Sequence, residues 1–131
     1  MIKKFKVITL CGSTKFKEQY LEVTKWLTLL GNIVISVGLF GQADGDKLTV
    51  QEKVMLDELH KGKIDLCDEI FVVNPNDYIG ASTKSEIEYA EKNGKKVRYY
   101  TDELKEINEW KNEYYGRLNT ENWNFATVIN L

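Results

Sequence analysis

Four short segments with the character of β-strands recur along the chain, and each is followed by a segment whose apolar residues have helical spacing. The four segments are FKVITLC (5–11), IVISVGLF (33–40), DEIFVVNP (68–75) and KVRYY (96–100). Short, nearly continuous apolar runs closed by turn residues are typical of strands that are buried on both faces of a parallel sheet. Their alternation with helices therefore predicts a parallel sheet covered by helices on both sides.

The predicted helices lie between and after these strands. Helical spacing of apolar residues extends over 14–30, 50–66 and roughly 82–93, and a last helix of about fifteen residues starts at Thr101. The polar, glycine-rich segment 41–49 predicts an exposed loop. Because the pattern shows no repeat and no linker, we expect one domain over the whole chain, residues 1–131.

The expected fold is α/β: a three-layer, flavodoxin-like or Rossmann-like sandwich with a parallel sheet of four to five strands in the order 2-1-3-4. In that order the topological switch point lies between the first and third strands, and ligands bind outside their carboxyl ends. CGSTK (11–15) and NPNDYIGASTKSE (74–86) follow these two strands. They are the strand-to-helix turns richest in glycine and hydroxyl residues, so topology and composition predict the same site.

Composition and charge exclude several classes of protein. The net charge is -2 at pH 7, which argues against a broad basic face and therefore against a nucleic acid polymer as partner. No apolar run approaches the roughly 20 residues that a membrane span needs, so we expect no membrane partner. The first residues, MIKKFKVITL, enter a strand pattern without a cleavage site for a signal peptide. We expect a cytoplasmic protein.

Cysteine and histidine are too sparse to suggest a metal site. Cys11 and Cys67 lie in apolar contexts and form no CxxC pair, which indicates reduced thiols in a cytoplasmic protein. His60 is the one histidine of the chain, which excludes a centre built from several histidines. We therefore expect no metal ligands and no cofactor.

The two turns at the switch point supply candidate binding groups. A glycine lets the backbone approach a ligand closely, and hydroxyls with free N–H groups at a helix N-terminus favour an anion such as phosphate. The alternative is that the hydroxyl side chains only cap their helices. The candidate residues are Gly12, Ser13, Thr14, Gly80, Ser82 and Thr83.

Glu86 follows Thr83 by three residues, and this spacing has two interpretations. T-x-x-E at the start of a helix is a capping box, and local spacing alone favours that role. The same Glu86 would border the face of its helix formed by Thr83, Ile87 and Ala90, near the mouth of the predicted pocket. There its carboxylate would be available for chemistry.

Asp57 and His60 lie one turn apart on the helix 50–66, whose N-terminal half would approach the pocket. A lone histidine is more often structural than catalytic. The aromatic residues near the carboxyl end favour a subunit interface over a stacking wall for a base. These aromatic residues are Trp110, Tyr114, Tyr115, Trp123 and Phe125.

Four motifs, taken in order, resemble the nucleoside 2-deoxyribosyltransferase superfamily, which includes the 2′-deoxynucleoside 5′-phosphate N-hydrolases. They are ITLCGSTKF, LGNIVIS, KIDLCDEIFVVNP and YIGASTKSEIEYAEKNGKKV, within residues 5–100. The resemblance implies cleavage of an N-glycosidic bond, or (deoxy)ribosyl transfer, on a nucleoside or nucleotide. It also implies a homo-oligomer, because relatives complete their sites across subunit interfaces, and no metal or redox cofactor.

The same resemblance implies roles for single residues. EIEYA aligns Glu86 with the nucleophile of the family, and CGS resembles the segment that lines the sugar or phosphate pocket. His60 stands where relatives usually carry an Asp, and Gly80 where transferases carry a carboxylate. Asp57 or Asp77 could substitute, and a protonated His60 could act as general acid on the departing base. The alternatives are a non-catalytic nucleotide-binding module with the same pocket and a plain assembly domain.

Overall fold

The structure, a computed structural model, describes residues 4–118, and within them four strands form one parallel sheet. The strands are β1 (Val7–Cys11), β2 (Ile33–Ile35), β3 (Glu69–Val72) and β4 (Lys96–Tyr99). The helices are α1 (Lys17–Leu29), α2 (Gly41–Asp44), α3 (Val50–Asp65), α4 (Ala81–Lys92) and α5 (Leu104–Leu118). The order β2-β1-β3-β4 confirms the predicted α/β fold with strand order 2-1-3-4.

Side chains of the central strands alternate between two helical layers. Ile8 and Leu10 of β1 belong to a core cluster that β1 and β3 share with α1 and α5. Cys11 belongs to a second cluster with α3 and α4, and the hydroxyl of Thr9 donates to the carbonyl of Lys63 in α3 at 2.9 Å. Alternation with a period of two residues is the rule for a strand, and here it gives the predicted three-layer sandwich.

β1 and β3 are the paired central strands, and their carboxyl ends lie side by side. Cys11 is in register with Val72, and the amide of Val73 donates to the carbonyl of Cys11 at 2.7 Å. Gly12 then turns the chain with φ +141°, and a Cβ at this position would lie 2.6 Å from the carbonyl oxygen of Val73. The turn after β1 therefore requires glycine because of the neighbouring strand.

Two sequence predictions for the region after β2 are wrong. The strand predicted over 33–40 ends at Ile35, since β2 is an edge strand that pairs only with residues 7–9 of β1. Beyond Ile35, the side chains of Val37 and Phe40 pack against the core cluster that the sheet shares with α1 and α5, here called the core of the α1 face. The segment predicted as loop contains the short helix α2. This helix ends with a hydrogen bond from the amide of Asp46 to the carbonyl of Gly41.

The aromatic side chains of α5 pack within the chain. Trp110 packs against the core of the α1 face and stacks on Tyr114 with 5.4 Å between ring centroids. Lys25 of α1 places its Nζ 4.2 Å from the centroid of Tyr114, a cation–π contact. Trp123 and Phe125 lie outside the described residues, and the predicted subunit interface stays a prediction. None of the helices within 4–118 combines the length and the apolar character needed to cross a membrane.

We expect Gly12→Ala to destabilise the protein by on the order of 2–3 kcal/mol, because a side chain at φ +141° is strained and its Cβ meets the Val73 carbonyl. Urea unfolding followed by circular dichroism measures the change. Gly62→Ala is the matched control, since Gly62 lies inside α3 with no atom within 4 Å of an added Cβ. It should keep or raise stability by up to ~1 kcal/mol. Equal losses in both variants would contradict a specific requirement at Gly12.

Candidate functional site

Three side chains from three different elements meet beside the carboxyl end of β1. Cys11 is the last residue of β1, His60 lies on α3 and Glu86 lies on α4. The Nε2 atom of His60 is 3.2 Å from the Sγ of Cys11 and 3.4 Å from the Oε2 of Glu86. The structure thus brings together two of the three predicted catalytic residues, His60 and Glu86, and adds Cys11, whose sequence context indicates only a reduced thiol.

The helices present these residues because of their apolar spacing. His60 and Ile64 are the buried residues of α3, one turn apart, so the imidazole enters the same layer as the core. On α4 the buried residues are Thr83, Ile87 and Ala90, as predicted. Glu86 lies at the border of this face, and its side chain is 15% exposed.

Glu86 does not cap its helix, so the capping-box interpretation is wrong. α4 begins at Ala81 with Gly80 in the N-cap position, and no side chain caps it. Glu86 is thereby placed in the second turn, beyond the free N–H groups of the first. The buried Oε2 of Glu86 forms no well-directed hydrogen bond, although Nε2 of His60 lies 3.4 Å from it and the Cys11 thiol interacts with the carboxyl group.

A true capping box in the same chain shows the contrast. The sequence TVQE at 49–52 begins α3, with the amide of Thr49 donating to a Glu52 oxygen at 2.9 Å. The amide of Glu52 in turn donates to the Thr49 hydroxyl at 3.1 Å. The T-x-x-E spacing is therefore used as a cap once, at Thr49, while Thr83 and Glu86 lie inside a helix that starts earlier.

Burial controls the ionisation of the cluster. Desolvation raises the pKa of Glu86 to about 7, and the negative charge of Asp57 adds to this effect, while Cys11 and Lys61 oppose it. Desolvation lowers the pKa of His60 to about 4, with the charge of Lys63 adding to it and that of Asp57 opposing it. Burial also raises the pKa of the Cys11 thiol well above its ordinary value, helped by Glu86. Near neutral pH the imidazole is therefore neutral, and the carboxyl group of Glu86 is partly protonated.

An open polar pocket of about 270 Å³ adjoins Glu86. Its lining includes three residues that the sequence analysis named: Asp57, Ser82 and Glu86. Lys61 and Ser85 also line it and were missed, although Lys61 follows Asp57 by one turn of α3 and Ser85 precedes Glu86. A carboxylate, an ammonium group and hydroxyls around one opening suit a small polar ligand.

The hydroxyl groups of Ser13 and Thr14, in the turn after β1, have hydrogen-bond partners outside this pocket. The Oγ of Ser13 donates to the Oε1 of Gln42 at 3.0 Å, and the Oγ1 of Thr14 accepts from the amide of Gln42 at 3.2 Å. Both residues thus anchor α2. Thr83 is buried on the face of α4 that packs on the sheet, and Gly80 forms the N-cap of α4.

The two turns predicted to share one crevice do meet, through aromatic contacts. The ring of Phe16 packs edge-on against Tyr78, with 5.8 Å between centroids. Lys15, which precedes Phe16, places its Nζ 3.4 Å from the centroid of Tyr78. The turn before α4 therefore rests on the turn after β1 through Tyr78.

Comparison with known proteins adds no relative to this picture. No family model matches the chain, and neither a curated protein nor a solved structure matches it.

We expect Glu86→Gln to stabilise the protein at alkaline pH. The folded pKa of Glu86, about 7, lies above the unfolded value of 4.5. The protonated side chain therefore contributes its full share to the free energy of unfolding below pH 4.5, and this contribution is lost as the pH rises through 7. The advantage of the variant over the wild type should therefore grow by on the order of 2–3 kcal/mol between pH 5 and pH 8. His60 acts in the opposite direction, because its folded pKa is lowered to about 4. Its contribution to the stability of the protein is lost as the pH falls from 6.5 through 4.

Urea unfolding at a series of pH values, with EDTA present, measures this difference. Glu88→Gln is the matched control, because Glu88 is exposed on the same helix. Because Glu88 is exposed, its replacement should change the free energy of unfolding by no more than about 0.5 kcal/mol. A Glu86→Gln profile parallel to that of the wild type would contradict a buried carboxyl group with a raised pKa.

Proposed function

We propose that the protein cleaves an N-glycosidic bond, or transfers the (deoxy)ribosyl group, of a nucleoside or nucleotide, with Glu86 as nucleophile. The observation that carries this proposal is the placement of Glu86, whose carboxyl group is largely buried beside His60 while its side chain lines the pocket. The four motifs that resemble the nucleoside 2-deoxyribosyltransferase superfamily support it, and we infer membership of that superfamily from them.

The reaction needs a carboxylate at the anomeric carbon. An oxygen of Glu86 attacks this carbon, the bond to the base nitrogen breaks, and the base departs with the electron pair of that bond and takes up a proton from solvent. The transition state resembles an oxocarbenium ion, which a nearby carboxylate stabilises. Water, or a second base, then displaces Glu86 from the glycosyl–enzyme ester and restores the free carboxylate.

His60 holds Glu86 in position in this scheme. At neutral pH its imidazole is neutral, since burial lowers its pKa to about 4, so the free protein does not hold the protonated acid that the sequence analysis considered. The pKa of Glu86 lies near neutrality, so loss of its proton to solvent at or above pH 7 leaves a carboxylate ready to attack. Nε2 faces Glu86 and Cys11, so we assign His60 as a positioning residue for the nucleophile.

The pocket wall supplies groups for the polar parts of the substrate. Asp57 and Glu86 both line the pocket, and the charge of Asp57 reaches Glu86 strongly enough to raise its pKa. Asp57 is the candidate to orient sugar hydroxyls. Lys61, Ser82 and Ser85 offer donors for hydroxyl, phosphate or base oxygen atoms.

A panel of nucleosides and nucleotides, assayed for released base, tests the proposal. Glu86→Gln keeps the shape of the side chain but cannot form the ester, so release should fall by on the order of a thousandfold or more. Glu88 is an exposed glutamate on the same helix, and Glu88→Gln should retain the wild-type rate.

Two outcomes would decide against this assignment. Undiminished release by Glu86→Gln would reject Glu86 as nucleophile. Tight binding of a nucleotide by the wild type, with no base released from any compound of the panel, would favour a non-catalytic nucleotide-binding module. The raised pKa of Glu86 is the observation that favours the module, because a partly protonated carboxyl group is a weaker nucleophile near neutral pH.

His60→Asn should lower kcat by about 10- to 100-fold and leave KM nearly unchanged. The side chain touches Glu86 and does not line the pocket, so its loss misplaces the nucleophile without removing a substrate contact. Steady-state kinetics on the best substrate of the panel separate the two constants. An unchanged kcat for every active substrate would remove His60 from the mechanism, and a rise in KM alone would place it in substrate binding.

A further inference from the structure

One nitrogen atom in the core has two polar neighbours on the same side. Nε2 of His60 lies 3.2 Å from the sulfur of Cys11 and 3.4 Å from Oε2 of Glu86. An imidazole nitrogen has a single in-plane position, occupied either by a proton or by a lone pair. It cannot form a well-directed hydrogen bond with both neighbours at once, and Oε2 of Glu86 is buried without a well-directed hydrogen bond.

The spacing of these donors fits a metal ion between them. One sulfur, one nitrogen and one carboxylate oxygen all lie within 4.8 Å of one another. In a tetrahedral zinc site, bond lengths of about 2.0–2.3 Å place neighbouring donor atoms about 3.3–3.6 Å apart. The two measured contacts of His60, 3.2 and 3.4 Å, are close to that spacing.

The identity of the donors selects the kind of ion. A thiolate with an imidazole favours zinc and similar borderline divalent ions over magnesium or calcium, which prefer oxygen ligands only. Three protein donors are the number found in zinc sites that keep a position for an exchangeable ligand. Glu86 is the one member of the cluster that lines the open pocket, so an ion and its fourth ligand would approach the cluster past Glu86.

We propose that Cys11, His60 and Glu86 form a binding site for one divalent borderline metal ion, with zinc as the best fit. The ion bonds to the sulfur of Cys11, to Nε2 of His60 and to a carboxylate oxygen of Glu86, with water from the pocket as fourth ligand. The thiol proton, and any proton on the carboxyl group, pass to the solvent as the bonds form. A coordinated thiol is ionised by the charge of the metal itself, which offsets the burial of Cys11.

One consequence rests on the proposed function. A metal ion bonded to Glu86 neutralises and immobilises the carboxylate that would attack the anomeric carbon, so bound zinc and glycosidic cleavage exclude each other. Zinc is then an inhibitor of the reaction, and a chelator restores it.

Cobalt(II) is the probe for the site, because its spectrum reports its ligands. The folded protein, freed of metal with EDTA and dialysed under reducing conditions, is titrated with Co²⁺. We expect a thiolate-to-cobalt charge-transfer band in the near ultraviolet that saturates at one equivalent, intense visible bands of a four-coordinate ion, and displacement of both by Zn²⁺.

The two cysteines provide a matched pair of variants. Cys67 is also buried, but its thiol donates to the carbonyl of Ile64 at 3.0 Å and takes no part in the cluster. Cys67→Ser should keep the charge-transfer band, whereas Cys11→Ser should lose it and bind Zn²⁺ at least about a hundredfold more weakly. Circular dichroism checks that both variants are folded. If Cys11→Ser does not fold, Glu86→Gln takes its place and should weaken binding to a similar degree.

Several results would overturn the site. They are the absence of a charge-transfer band from folded wild-type protein, a band lost in Cys67→Ser but kept in Cys11→Ser, or unchanged affinity in Glu86→Gln. The titration uses no substrate, so its failure leaves the proposed reaction standing. Conversely, a protein that releases no base from any compound can still show the cobalt spectrum.

Discussion

The pairing of β1 with β3 is the constraint on which the rest of the structure depends. These two strands form the centre of the sheet, and each contributes side chains to both helical layers. Their carboxyl ends lie so close that the carbonyl of Val73 leaves no room for a side chain at position 12. This contact fixes where the chain leaves β1, and hence the position of Cys11 beneath α3 and α4. The candidate site is built at the topological switch point that the strand order creates.

The candidate site lowers the stability of the fold, because it buries two ionisable side chains. Glu86 and His60 are buried in their neutral forms, and each loses folding free energy when it ionises, at opposite ends of the pH range. The apolar residues on both sides of the cluster, Ile64 and Ile87 among them, are what hold these polar groups out of water. Local arrangements that oppose stability are typical of functional sites, where the surrounding core compensates for them.

The fold could be predicted from the sequence because buried strands and amphipathic helices leave separate periodic patterns. The site could be predicted only in part. Thr49–Glu52 and Thr83–Glu86 have the same spacing, and the difference between them is where each helix begins, which the preceding turn decides. Cys11 lies on the same face of β1 as Thr9, and that parity was readable in the sequence. What it faces was not, because His60 comes 49 residues later and meets Cys11 only through the packing of α3.

The raised pKa of Glu86 connects the proposed roles of the site. The carboxylate of Glu86 is destabilised as an anion by burial and by the charge of Asp57. A positive partner therefore stabilises it more than it would stabilise an exposed carboxylate. In the free protein that partner is a proton. In the proposed reaction it is the positive charge that develops on the sugar, and in the proposed metal complex it is the divalent ion. Proton, transition state and metal would therefore compete for one carboxylate, because the same desolvation that weakens Glu86 as an acid strengthens its attraction for all three.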